Sequence, residues 1–128
     1  MRPTMRWYVD AMNVIGTRPD GWWRDRDCAM RRLVDVVERW AAAEGEDVVV
    51  VFERRPSPPI RSTVIEVTHA RTPRPNAADD EIVRRLRAEA SPHEVRVVTS
   101  DRWLAERAGL LGATVLGSEA FRSLIERP

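Results

Sequence analysis

The chain has 128 residues, 43% of them hydrophobic, and a net charge of +1, which fits one globular domain with a real core and excludes a polycation. No apolar run approaches the roughly 20 residues of a membrane span, and Met1-Arg2-Pro3-Thr4-Met5-Arg6-Trp7 lacks the apolar segment of a signal peptide, so the cytoplasm is the expected location. The lone cysteine, Cys28, excludes an internal disulfide and a cysteine-based zinc cluster, and every basic residue is arginine, which excludes a catalytic lysine and supplies planar forks suited to phosphate.

The first strand is expected over residues 6–11, where Trp7-Tyr8-Val9-Asp10-Ala11-Met12-Asn13-Val14-Ile15-Gly16 begins apolar and then breaks into small and polar residues. Two roles fit Asp10 and Asn13. They either end the strand and shape a turn, or they hold a metal or a catalytic water beyond the carboxyl end of a central strand. Gly16 to Trp23 reads as a loop, with Gly16, Pro19 and Gly21 as its breakers. A helix follows over residues 24–44, with Met30, Leu33, Val34, Val37, Trp40 and Ala41 on one face and Gly45 as its stop. Cys28 falls on it as a core or half-buried residue.

Val48-Val49-Val50-Val51-Phe52 is a continuous β-branched run, suited to a strand covered on both faces and ended by Glu53. The next segment is too rich in proline for a helix. Thr63 to His69 alternates like an edge strand, and its following loop carries Arg71 and Arg74. A helix capped by Asn76 is expected to run to about Ala90, then a strand over Val95–Thr99. Ser100 and Asp101 lead into a helix over residues 102–110, then a short strand Thr114–Leu116 and a last helix over 119–126. Strands alternating with helices imply an α/β fold with a parallel sheet and helices on both faces. The link between the second and third strands is short for a crossover but long enough to run back extended, which allows them to be parallel, and only then does the Asn76 helix begin on the edge of Asp10.

That edge then collects Asp10, Glu53, the run Asp79-Asp80-Glu81, and Asp101. Carboxylates converging there repel one another unless a cation lies between them, and hard Mg²⁺ or Mn²⁺ is the natural candidate. Each acid also has a plain structural role. The first turn of a helix favours negative charge, Asp101 serves as an N-terminal helix residue, and Glu53 pairs with Arg54 or Arg55. Within the helix, Asp79 shares the sheet-directed face of Ile82, Val83 and Leu86, whereas Asp80 aligns with Arg84 and Arg87 on a solvated face with an i,i+4 ion pair. An inward carboxylate is costly unless bound to something, which singles out Asp79.

Tyr8-Val9-Asp10-Ala11-Met12-Asn13-Val14-Ile15-Gly16, Val51-Phe52-Glu53, Ala78-Asp79-Asp80-Glu81-Ile82 and Val98-Thr99-Ser100-Asp101, in that order, resemble the NYN-domain nucleases, in particular the YacP-like branch of the PIN-like superfamily. The resemblance spans nearly the whole chain. It implies a single PIN-like domain, a three-layer α/β/α sandwich with a mainly parallel sheet, and cleavage of RNA, as an endonuclease, with Mg²⁺ or Mn²⁺. Carried over, Asp10, Asp79 and Asp101 are the catalytic metal ligands, with Asn13, Glu53, Asp80 and Ser100 supporting. Glu53 departs from the family pattern, where an aspartate is expected. RNA, single-stranded or structured, is the implied partner, with homodimerisation or association with RNA-processing or ribosomal machinery beside it.

Arg18, Arg54, Arg55, Arg71 and Arg74 lie in loops expected on the acidic edge and are candidates for phosphate binding; the plain alternative is a solvated surface. Trp22 and Trp23 either stack on unpaired bases or pack against the long helix. His69 and His93 read as incidental. A non-catalytic RNA-binding or protein-interaction module on the same fold is the rival reading. A phosphatase-like hydrolase needs an aspartate where Met12 stands, and a dinucleotide-binding domain needs a glycine-rich turn that is missing.

Overall fold

Successive side chains of a strand point to opposite faces, and that alternation sorts the core of this protein. The computed structural model describes residues 5–127; residues 1–4, part of the stretch read above for a signal segment, and residue 128 lie outside the described residues. Five parallel strands form one sheet in the order β3-β2-β1-β4-β5. They are β1 (Arg6–Asp10), β2 (Asp47–Phe52), β3 (Glu66–His69), β4 (Val95–Val98) and β5 (Thr114–Leu116). The helices are α1 (Ala11–Ile15), α2 (Arg26–Glu44), α3 (Ala77–Arg87), α4 (Arg102–Leu110) and α5 (Ser118–Ile125).

Trp7, Val9, Val48, Val50, Phe52 and Val98 pack with α1, α2 and α5 on one face. Tyr8, Val49, Val51, Val95 and Val97 pack with α3 and α4 on the other. The result is the expected α/β/α sandwich. The three large buried apolar side chains of α3, Ile82, Val83 and Leu86, each contribute about 1.5–3 kcal/mol by leaving water. On the opposite face Trp7 meets Trp40 edge-on, with ring centroids 5.1 Å apart. Gly45 ends α2 in the left-handed region at φ 68°, which a side chain would strain. Among the described residues no helix is long and apolar enough to cross a membrane.

The link from β2 to β3 contains no helix, and the two strands are parallel, with Val49 opposite Glu66 and Phe52 opposite His69. Ile60 and Ile65 pack on the α2 face as the chain passes back. β3 starts later than expected because residues 62–65 are used for a turn. Ser62 Oγ accepts from Val64 N and Ile65 N at 3.0 and 3.1 Å and donates to Glu38 of α2 at 2.6 Å. Other boundaries also shift. Ala11 to Ile15, read as strand end and turn, close into the short α1, whose Ala11, Val14 and Ile15 are buried. The Asn76 helix stops at Arg87, three residues early.

β1 connects leftward to β2, and β4 connects rightward to β5, so the strand order reverses between β1 and β4. Ligands of open α/β sheets bind outside the carboxyl ends of the strands at such a reversal. Val9 lies opposite Val98, which sets the next residues, Asp10 and Thr99, side by side at that point.

Candidate active site

Asp10 falls on the Tyr8 side of β1 by alternation, the side covered by α3 and α4. It is 6% exposed. Thr99 Oγ1 donates to its Oδ2 at 2.9 Å. The same hydroxyl oxygen accepts from Asp101 N at 3.1 Å, so Thr99 couples the two acids. Asp101 caps α4, its Oδ1 accepting from Leu104 N at 3.0 Å. The structural role foreseen for Asp101 is therefore real, and it leaves the second carboxylate oxygen for other partners.

Asp79 projects from the first turn of α3 toward the sheet and is 7% exposed. Among the described residues its carboxylate has no hydrogen-bond donor and no cation. Burial pushes Asp79 up to about 7, and the charges of Asp10, Asp101, Asp80 and Glu53 add to the rise. Asp10 is pushed up to about 6, again by burial first; the Thr99 hydrogen bond pulls it down, and Asp101 and Glu53 raise it. The acids expected on one edge thus feel one another's charge.

A second polar chain braces the edge. Asn13 Oδ1 accepts from Ser100 N at 2.8 Å and from Ser118 Oγ at 2.5 Å, and Ser118 N donates to Ser100 Oγ at 2.9 Å. It joins α1, the β4 end and the start of α5. Ser118 is fully buried. Thr99 and Ser118 were not among the expected site residues. The signal available for both was their place, one just past a strand and one opening a helix.

Four expectations are corrected. Asp80 is exposed as foreseen, yet its ion pair is with Arg74 of the preceding loop. Arg84 turns instead to the buried Glu81, which receives Arg84 at 2.5 Å and Arg85 at 2.8 Å. A buried carboxylate gains more from two guanidiniums than an exposed one does. Arg85 also reaches Glu66 at 2.8 Å, so Glu81 ties α3 to β3 and stands outside the acidic edge. Asn76 holds the cap position but makes no side-chain cap; it sits at φ 61°, ψ 17°, a left-handed conformation that asparagine tolerates. Its backbone N donates to Glu53 Oε1 at 3.4 Å, so the pairing expected for Glu53 with Arg54 or Arg55 is replaced by one that positions the start of α3.

Of the loop arginines, Arg18 pairs with Glu126 beyond α5. Arg54 pairs with Asp27 of α2 at 3.0 Å. Arg71 is exposed, and with Arg74 it lines a small cleft beside Asp80 and Glu81. Arg55 is exposed. Glu53, Arg54 and Arg74 also line a cleft of about 300 Å³ with Met12 and Met30. Trp22 packs against the α2 core, and Trp23 is 51% exposed, meeting Trp22 edge-on at 5.9 Å. Cys28 is half-buried.

Among the described residues no three His, Cys, Asp or Glu side chains converge as a ready-made metal cage. The donor chemistry nonetheless fits a hard cation: Asp10 and Asp79 are buried oxygen donors with raised proton affinity and, among the described residues, no arginine paired with either. Mg²⁺ needs only one or two protein carboxylates, because waters and substrate phosphates complete its shell.

The family described as the YacP-like NYN domain matches residues 7–128. The chain belongs to this family. It is a nuclease-type, RNA-related domain. Among solved structures, a mutant form of Rae1 (YacP) from Bacillus subtilis superposes with a TM-score of 0.77 at 21% identity, covering 96% of this chain and 76% of that one. The Bacillus subtilis Rae1 (YacP) structure without the mutation gives 0.74 at 22%, covering 94% and 72%. These likenesses establish the fold of the YacP-like domain. Among curated proteins none matches the chain.

Proposed function

We propose that this YacP-like NYN domain is a divalent-metal-dependent ribonuclease that hydrolyses internal phosphodiester bonds of cytoplasmic RNA. One observation carries the reading: among the described residues Asp79 is buried without a cation and within reach of the charges of Asp10 and Asp101. Mg²⁺ or Mn²⁺, when bound, supplies Lewis acidity toward a phosphate oxygen and lowers the pKa of water.

The chain does the rest. Asp10 and Asp79 hold the cation, and Asp101, fixed by its cap, orients the attacking water. Thr99 keeps Asp10 in one orientation. Asn13, Ser100 and Ser118 hold the strand ends together, and Glu53 fixes the start of α3 through Asn76. Asp80 keeps Arg74 near the edge. Arg55 and Arg71 are open to phosphate, whereas Arg18, Arg54 and Arg74 must exchange a carboxylate for it.

The test is incubation of the purified protein with end-labelled linear and circular single-stranded RNA, with Mn²⁺, with Mg²⁺, and with chelator. Linearised circles in metal alone support an endonuclease. RNA that is bound in every condition and cut in none identifies a binding module instead. Association with RNA-processing or ribosomal machinery is a separate proposal, tested by co-sedimentation with ribosomes, and a homodimer by sedimentation of the protein alone.

A further inference from the structure

The solvent side of the α3–α4 pair carries a basic and aromatic groove that the carboxylate site does not use. It has a volume of about 390 Å³ and is lined by Asp80, Val83, Arg84, Arg87, Trp103 and Arg107. Trp103 is 42% exposed, an unusual setting for the largest side chain. The Arg107 guanidinium lies 5.3 Å from its ring centroid. Among the described residues Arg87 and Arg107 have no carboxylate partner, whereas Arg18, Arg54 and Arg74 are each paired with one. The single acid of the groove, Asp80, is neutralised by Arg74. The groove is therefore a cationic strip with an open aromatic ring.

Its position relates it to the acidic edge. Asp80 adjoins Asp79, and Trp103 lies in the first turn of α4, two residues after Asp101. From these features we infer that single-stranded RNA leaves the carboxylate site along the α3–α4 groove, with Arg87 and Arg107 on its phosphates and one base stacked on Trp103. The inference rests on the ribonuclease reading and deepens it by naming the path of the strand. Charge complementarity selects the occupant: two guanidiniums without a carboxylate partner among the described residues and an aromatic face match alternating phosphates and bases. An apolar protein segment would leave both cations desolvated and unpaired.

The experiment is equilibrium binding of a fluorescein-labelled single-stranded RNA to the full chain in chelator, across a salt series. Trp103→Ala is expected to weaken binding about tenfold, and Trp103→Phe to restore most of it, because a stacking face returns. The pair Arg87→Gln and Arg107→Gln is expected to lower the salt slope by about 1.4, about 0.7 for each guanidinium withdrawn from a single-strand phosphate. Arg39→Gln, exposed on α2, serves as control and is expected to change neither. Melting curves show that each variant is folded. RNA affinity and salt slope equal to the parent's in the folded Trp103→Ala and double-arginine variants overturn the groove, and so does a parent that binds no RNA. The ribonuclease reading fails separately: a parent that binds along the groove but cuts nothing with Mn²⁺ keeps the RNA-binding groove and loses the catalytic reading.

Discussion

The Thr99 hydroxyl donates to Asp10 Oδ2 at 2.9 Å, across the boundary where the strand order reverses. Both residues are buried. The bond orients the carboxylate and lowers its proton affinity against the burial that raises it. Thr99→Val keeps the shape and removes the hydroxyl from both Asp10 and Asp101 N. It is expected to cost about 1–3 kcal/mol of stability, the penalty of leaving buried polar groups unpaired. Cleavage is expected to fall about 10- to 100-fold, as when a residue orienting a metal ligand is lost, and Thr99→Ser to recover most of it. Urea unfolding and cleavage rates measure the two effects; a fully active Thr99→Val variant would show that this bond does not position Asp10.

The metal-free protein should lose stability as pH rises from about 4 to about 7. Asp10, pushed up to about 6, and Asp79, pushed up to about 7, bind protons more tightly when folded than an unperturbed aspartate, whose ordinary value is 3.8. The folded state then holds more protons than the unfolded state across that window, so stability falls with pH, by an amount of order a few kcal/mol. Asp27, held below its ordinary value by its Arg54 hydrogen bond, acts in the opposite sense and only at lower pH. Asp79→Asn should flatten the decline. Chemical unfolding of parent and variant at pH 4.5 and 7.5 in chelator checks this, and equal slopes for the two would refute it.

Asp10→Asn should abolish cleavage while leaving the metal-free fold as stable as the parent, or slightly more so. Asparagine keeps an oxygen to accept from Thr99 and removes one of the crowded charges. Millimolar Mg²⁺ or Mn²⁺ should raise the melting temperature of the parent more than that of the variant, since a ligand bound only to the folded form stabilises it by mass action. Melting scans with and without metal, beside the cleavage assay, give both readings. Equal metal shifts in parent and variant count against Asp10 as a ligand.

Asn76 occupies the left-handed region at φ 61° just before α3. Asn76→Gly is expected to be nearly neutral. Asn76→Ala is expected to lose about 1 kcal/mol, the penalty a Cβ meets there without a side-chain amide. Because this residue's N–H binds Glu53, the alanine variant should also lower cleavage. Urea unfolding of the two variants distinguishes backbone strain from a missing cap, which would penalise both alike.

The length of the link between β2 and β3 only allowed those strands to be parallel, whereas the sequence by itself determined the alternation of strands and helices and the acids at the strand ends. These follow from local periodicity, since a period of two or of 3.6 assigns each residue to a face whatever lies opposite. The inward turn of Asp79 was legible for that reason. Only the tertiary structure decided which partner each charged side chain takes. Asp80 chose Arg74 over Arg84, Arg84 and Arg85 converged on Glu81, and Arg54 went to Asp27. Arg54 and Asp27 are 27 residues apart, and among the nearby partners within and before α3 the choice follows which charge is more deeply buried; neither is written in a period. Thr99 and Ser118 became site residues for the same reason: a hydroxyl gains its role from the strand or helix folded against it, here β1 and α1.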